Sequence, residues 1–169
     1  MYEEKINAYF DAPERRAELV EAISRLVRIR SVREEPLPGM PFGPGPAAAL
    51  AEGLKLAEEL GFATRNYDNY VGTADLNDKE TALHILCHLD VVGEGTGWTV
   101  TEPYAPKEVD GMLYGRGTDD DKGPVAAVLL AMKPVKDLGV PLRRNARLLT
   151  GPDAATGSSD TPYSSPQPP

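Results

Sequence analysis

Two short stretches of the chain carry residue types that can do chemistry. The first is His88-Leu89-Asp90, which follows directly on the apolar run Thr81 to Cys87. Side chains alternate faces along a strand, so His88 and Asp90 project together while Cys87 and Leu89 point the other way. A neutral imidazole is a common zinc ligand, and a nearby carboxylate can polarise a ligand or a bound water. Ligand sites favour strand ends, yet a His and an Asp that merely terminate a strand satisfy the same pattern. The second stretch is Gly115-Arg116-Gly117-Thr118-Asp119-Asp120-Asp121-Lys122-Gly123-Pro124, three adjacent carboxylates between glycines at the predicted start of a helix. A helix N-terminus tolerates acids, but neighbouring charges repel, and a bound cation would relieve that repulsion. A solvated acidic loop capping the helix is the alternative. An EF-hand loop fits poorly, because the D-x-D-x-D-G spacing and its closing glutamate are missing. A phosphate loop is excluded by the absence of G-x-x-x-x-G-K-[ST].

The elements that must position these residues can be read from periodicity. Asp11 and Glu14 form a capping-box-like start, and Leu19, Val20, Ile23, Leu26 and Val27 recur at helical spacing up to Arg30. A loop at 36–46 carries five prolines, after which Ala47, Leu50, Leu54, Ala57 and Leu60 predict a second helix stopped by Gly61. Phe62 to Tyr67 and Tyr70 to Leu76 read as strands flanking an Asp68-Asn69 turn. Thr81 to Cys87 reads as a strand buried on both faces. Val109 to Tyr114 reads as a hairpin around Asp110-Gly111. Lys122 to Leu138 predicts a helix, kinked by Pro134 because the ring displaces the bond to Leu130. Arg147 to Thr150 is a last strand. The tail at 151–169 has no aliphatic residue larger than alanine and reads as irregular. Together these predict an α/β fold, a mixed β-sheet flanked by helices.

Composition narrows the function. The 169 residues suit one domain or part of a larger one. Hydrophobic residues at 41% are enough for a core, yet no apolar run approaches the roughly 20 residues that span a bilayer. The net charge of −8 repels phosphate backbones and argues against nucleic acid as a partner. Cys87 is the one cysteine, which excludes an intramolecular disulfide and a Cys-based zinc finger. The start, Met1 to Phe10, has acidic residues where a secretory signal has basic ones, so a cytoplasmic setting is expected.

Taken together, H-x-D after a strand and G-R-G-T-x-D-D-K-G-P resemble the signature of the M20 family of zinc metallopeptidases. The resemblance is strongest to its dipeptidase branch, the PepV-like and carnosinase-like enzymes. Pro41-Phe42-Gly43-Pro44-Gly45-Pro46, Gly97-Trp98 and Tyr163 extend it over most of the chain. It implies an α/β catalytic domain with a two-zinc site at its edge, a separate lid domain, and a dipeptide or short peptide as substrate. His88 then matches a zinc ligand, Asp120 the carboxylate bridging both zinc ions, and Asp90 the catalytic acid that supports the metal-bound water. It also implies a cis peptide bond at Asp120-Asp121. Asp119 and Asp121 are read as shaping charge; Trp98 and Tyr114 are candidates to border the site, with core packing the preferred reading for each.

The chain departs from that pattern at Gly151-Pro152-Asp153-Ala154-Ala155-Thr156-Gly157, where the family reads G-x-D-E-E-T-G. The resemblance makes the first Glu the general base and the second a zinc ligand, so Ala154 and Ala155 can perform neither role. The later zinc-binding Asp and His, and the lid, fall beyond the 169 residues. The expectation is an incomplete catalytic domain that binds zinc weakly, hydrolyses no peptide as written, and self-associates through exposed core. A noncatalytic metal- or peptide-binding remnant is the alternative.

Overall fold

The computed structural model describes residues 1–154. Ala155, Thr156, Gly157, Tyr163 and most of the proline-rich tail lie outside the described residues. The elements are α1 (Tyr2–Phe10), α2 (Glu14–Val27), α3 (Pro44–Glu59), β1 (Ala63–Tyr67), β2 (Val71–Asp75), β3 (Thr81–His88), β4 (Lys107–Val109), β5 (Met112–Tyr114), α4 (Lys122–Asp137) and β6 (Asn145–Gly151).

Four strands form one mixed sheet in the order β1-β2-β6-β3. Asp68 and Asn69, both at positive φ, join β1 and β2 in a two-residue hairpin, the backbone such turns require. β6 pairs antiparallel with β2 and parallel with β3. The β3-to-β6 crossover carries the small β4-β5 hairpin and α4, and α4 is the length of helix that a parallel connection demands. Helix α3 packs on β1 and β2, α4 on β3 and β6, and α2 lies across α3 and α4. The shared core includes Leu26, Leu50, Leu89, Leu129 and Leu148, all nearly or wholly inaccessible. Burial of each such leucine contributes roughly 1.5–3 kcal/mol.

Several expectations are corrected. β3 is not buried on both faces. It is the last strand in the order, with Leu83 53% and Leu86 66% exposed, while Cys87 points into the core. Its apolar composition reports a strand suited to cover on both sides, and among the described residues nothing pairs with its second edge. Asp11 does not cap α2. It closes the preceding helix α1, its N–H bonded to the Asn7 carbonyl, and α2 starts at Glu14 without a side-chain cap. Sequence periodicity missed α1 because it buries no residue. Pro44 and Pro46 belong to α3 and not to the loop, since a first turn has free N–H positions and tolerates proline there. Helix α4 runs on through Pro134 to Asp137. No helix among the described residues is long and apolar enough to cross a membrane.

Two features of the α4 entry and the β3 end are testable. A Cβ at Gly123 would lie 2.1 Å from the Thr118 carbonyl oxygen, a backbone atom that cannot swing aside. Gly123→Ala would gain about 1 kcal/mol of helix propensity, but overpacking costs about 1–3 kcal/mol and a clash this close sits at the upper end. The net expectation is a loss of about 1–2 kcal/mol, read as a lower urea midpoint. Cys87 is buried, and desolvation together with the neighbouring Asp121 carboxylate pushes its thiol up to about 12. The native chain should therefore leave Cys87 unmodified by Ellman's reagent at mildly alkaline pH, with full reaction once urea unfolds it. Rapid native modification would contradict the buried placement.

Candidate functional site

The parallel pair β3 and β6 sets His88 opposite Gly151. The strand end carrying His88 and Asp90 therefore lies beside the one leading into Pro152, Asp153 and Ala154. The ladder continues past β3, with Leu89 N–H donating to the Gly151 carbonyl at 2.9 Å. Ser31, fully buried in the loop after α2, holds the chain there: its hydroxyl donates to the Leu89 carbonyl at 2.6 Å and its own carbonyl accepts from Val91 N–H at 3.1 Å.

The imidazole of His88 stands between two carboxylates. Nε2 lies 3.1 Å from Asp120 Oδ1. On the other side, Nδ1 lies 3.1 Å from the Asp90 carbonyl oxygen and 3.3 Å from Asp90 Oδ1. Asp90 is fully buried, whereas the Asp120 side chain is 85% exposed. The hydrogen bond from the ring to Asp90 outweighs burial and raises the His88 pKa to about 9. At neutral pH the ring thus carries both protons, one of them directed at Asp120. A cation held between Nε2 and Oδ1 must displace that proton.

The acidic triplet divides its work. Asp119 is exposed. Asp121 reaches back to accept the His88 backbone N–H at 2.9 Å, and burial raises its pKa. The peptide bond between Asp120 and Asp121 is cis. Lys122 then opens α4, fully buried, with Nζ donating to the Ile29 carbonyl at 2.6 Å. Desolvation pulls its pKa down to about 8, against the opposing pull of Asp90. From the β6 side, Arg33 Nη1 meets the buried Asp153 carboxylate at 2.5 Å, and Ala154 N–H donates to Asp90 Oδ1 at 2.9 Å.

The structure thus brings His88, Asp90 and Asp120 together. Asp121 and Lys122 contribute more than their expected shaping role, and a lysine abutting an acidic triplet at a helix start is a legible signal of it. Arg33 and Ser31 carry no motif and could not have been found. Trp98 and Tyr114 are not core residues: with Arg116 they line an open cleft. Among the described residues no group of three or more His, Cys, Asp and Glu is arranged to hold a metal ion. His88 and Asp120 supply one nitrogen and one oxygen donor of the kinds zinc accepts, which fits part of a zinc site and not a closed one.

Comparison with known proteins gives this geometry a setting. Residues 84–159 match the model of peptidase family M20/M25/M40. YtjP of Bacillus subtilis, whose name marks it as a candidate dipeptidase, is 38% identical over 141 residues, covering 82% of this chain and 30% of that protein. A similarly named protein of Staphylococcus saprophyticus is 34% identical over 155 residues, covering 90% of this chain and 32% of its own length. Among solved structures, human carnosine dipeptidase 1 superimposes with a TM-score of 0.76 at 29% identity, over 93% of this chain and 36% of that one. An M20 family metallo-carboxypeptidase of Sulfolobus solfataricus shares the fold, with a TM-score of 0.64 at 23% identity over 80% of this chain and 31% of that one. In sequence and in fold the chain is similar to part of an M20 dipeptidase, and it spans about a third of the length of the curated relatives it matches.

Proposed function

We propose that the protein built on these residues is a metal-dependent hydrolase of dipeptides or short peptides, with zinc held in part by His88 and Asp120. The observation that carries this reading is the 3.1 Å approach of His88 Nε2 to Asp120 Oδ1, backed by a buried Asp90. Zinc, when bound, supplies Lewis acidity and a water of lowered pKa, and an intact site of this kind takes two ions. His88 would present Nε2 and Asp120 its exposed carboxylate. Asp90 meets the ring nitrogen that faces away from Asp120, so its geometry supports a role exerted through His88, fixing the ring and strengthening its basicity. That is a positioning role rather than direct support of a water.

The weak point is the place where a proton acceptor belongs. Ala154 sits against Asp90 and ends in a methyl group. Loss of a general base typically costs about 10²- to 10⁴-fold in rate. The same observation favours a second reading, a noncatalytic remnant that binds metal or peptide without turnover.

Three measurements separate these. Zinc titrated calorimetrically into the 169-residue chain should bind weakly, and His88→Ala should remove that binding. Two tightly held zinc ions per chain would contradict the ligand assignment. The chain as written should show no chelator-sensitive dipeptide hydrolysis with zinc, manganese or cobalt. Ala154→Glu with Ala155→Glu should leave the 169 residues inactive, because they hold two histidines in all and His84 stands exposed in mid-β3. The doubly changed chain joined to the remainder of YtjP should hydrolyse dipeptides in a zinc-dependent way. A folded hybrid that stays inactive, or that works in the presence of chelator, would sink the metallopeptidase reading.

A further inference from the structure

We infer that the cleft formed by Trp98, Tyr114 and Arg116 is a binding site for a small ligand bearing a carboxylate. The inference does not rest on the peptidase reading, because it uses none of His88, Asp90 or Asp120. The cleft encloses about 320 Å3, at the lower end of the roughly 300–1,000 Å3 typical of small-molecule sites.

The argument starts from the charge of Arg116. Its guanidinium lies 5.4 Å from the centre of the Trp98 ring, and Nη2 donates to the Glu94 carbonyl oxygen at 2.9 Å. Trp98 Nε1 donates to that same carbonyl at 2.8 Å, so indole and guanidinium are fixed against one another. The one acidic residue in the cleft wall, Glu94, has its carboxylate held by Arg30 Nε at 2.6 Å and Tyr104 OH at 3.1 Å. Arg116 therefore forms no ion pair among the described residues. A guanidinium in a cleft wall with no anionic partner leaves a counter-charge to be supplied.

A carboxylate supplies it. Guanidinium presents donors in a planar fork that matches carboxylate geometry, and the pairing is frequently bidentate. The fork is held at its tip, with Nη2 anchored on the Glu94 carbonyl and the guanidinium over the Trp98 ring, and at its base, where the Arg116 backbone N–H is held by the Pro103 carbonyl at 2.7 Å. Tyr114 OH has only a 4.0 Å contact to the Met112 sulfur, which leaves it able to donate to a ligand. Trp98 offers an apolar face for the rest of a ligand about the size of an amino acid.

Trp98 is the sole tryptophan, so its fluorescence reports on this cleft alone. N-acetylglycine titrated into the intact chain at constant ionic strength should give a saturable change, and N-acetylglycinamide, which lacks the charge, should give none. Arg116→Gln should weaken binding at least tenfold while circular dichroism stays native. If that variant does not fold, Thr99→Glu decides, since it adds a negative charge to the exposed wall of the same cleft and should weaken binding at least tenfold. The inference is overturned by any of four results: no saturable response in the unaltered chain, equal responses to acid and amide, unchanged affinity in folded Arg116→Gln or Thr99→Glu, or inorganic phosphate binding as tightly as N-acetylglycine.

Discussion

Everything at the candidate site depends on the parallel pairing of β3 with β6. That ladder aligns His88 with Gly151 and so joins two motifs that the sequence keeps far apart. The crossover it enforces is what returns the acidic triplet to the same strand ends, because α4 must pack back on β3 and β6 and its first turn begins just after Asp121. A slip of one residue in this register would turn His88 into the core and Cys87 outward. The core resists such a slip, since Cys87, Leu89 and Leu148 would trade buried for exposed surface.

The second constraint is polar burial. Asp90, Asp153, Lys122 and Ser31 are all inaccessible, and each is tied to a different segment: Asp90 to His88 and Ala154, Asp153 to Arg33, Lys122 and Ser31 to carbonyls across the α2-β3 boundary. Breaking a buried charge pair costs about 3–5 kcal/mol, whereas an exposed pair such as Arg16 with Glu108 is screened by solvent and contributes little. The rigidity of the site therefore comes from these few interior contacts and not from the many ion pairs on the surface.

How much of this was legible follows from which residues carry local signals. The hairpin turn at Asp68-Asn69, the stripes of α2, α3 and α4, and the grouping of His88 with Asp90 were visible because periodicity and turn chemistry are local properties. Burial on a strand is not local, and Leu83 and Leu86 read as interior although β3 lies at the sheet edge. Helix α1 was invisible because it buries nothing, and the capping pattern at Asp11 misled because that residue serves the helix before it. Only the family resemblance singled out Asp120 within the triplet, while Asp121 acts on the His88 backbone through a contact that the crossover creates. Composition favours an interior place for Trp98 over one bordering a site, because a large aromatic is usually interior, and here it is held by a carbonyl at a cleft instead.

The second edge of β3, unpaired among the described residues, also has a consequence in time. During synthesis His88 emerges more than sixty residues before Gly151, its register partner. At roughly 5–20 residues per second, β3 waits for about 3–13 seconds with both edges unpaired and leucines uncovered. Thr81 to His88 contains no proline, lysine or acidic gatekeeper to discourage pairing with a neighbouring nascent chain. Until β6 arrives, this segment offers its backbone donors and acceptors on both edges, and β6 then closes one of the two.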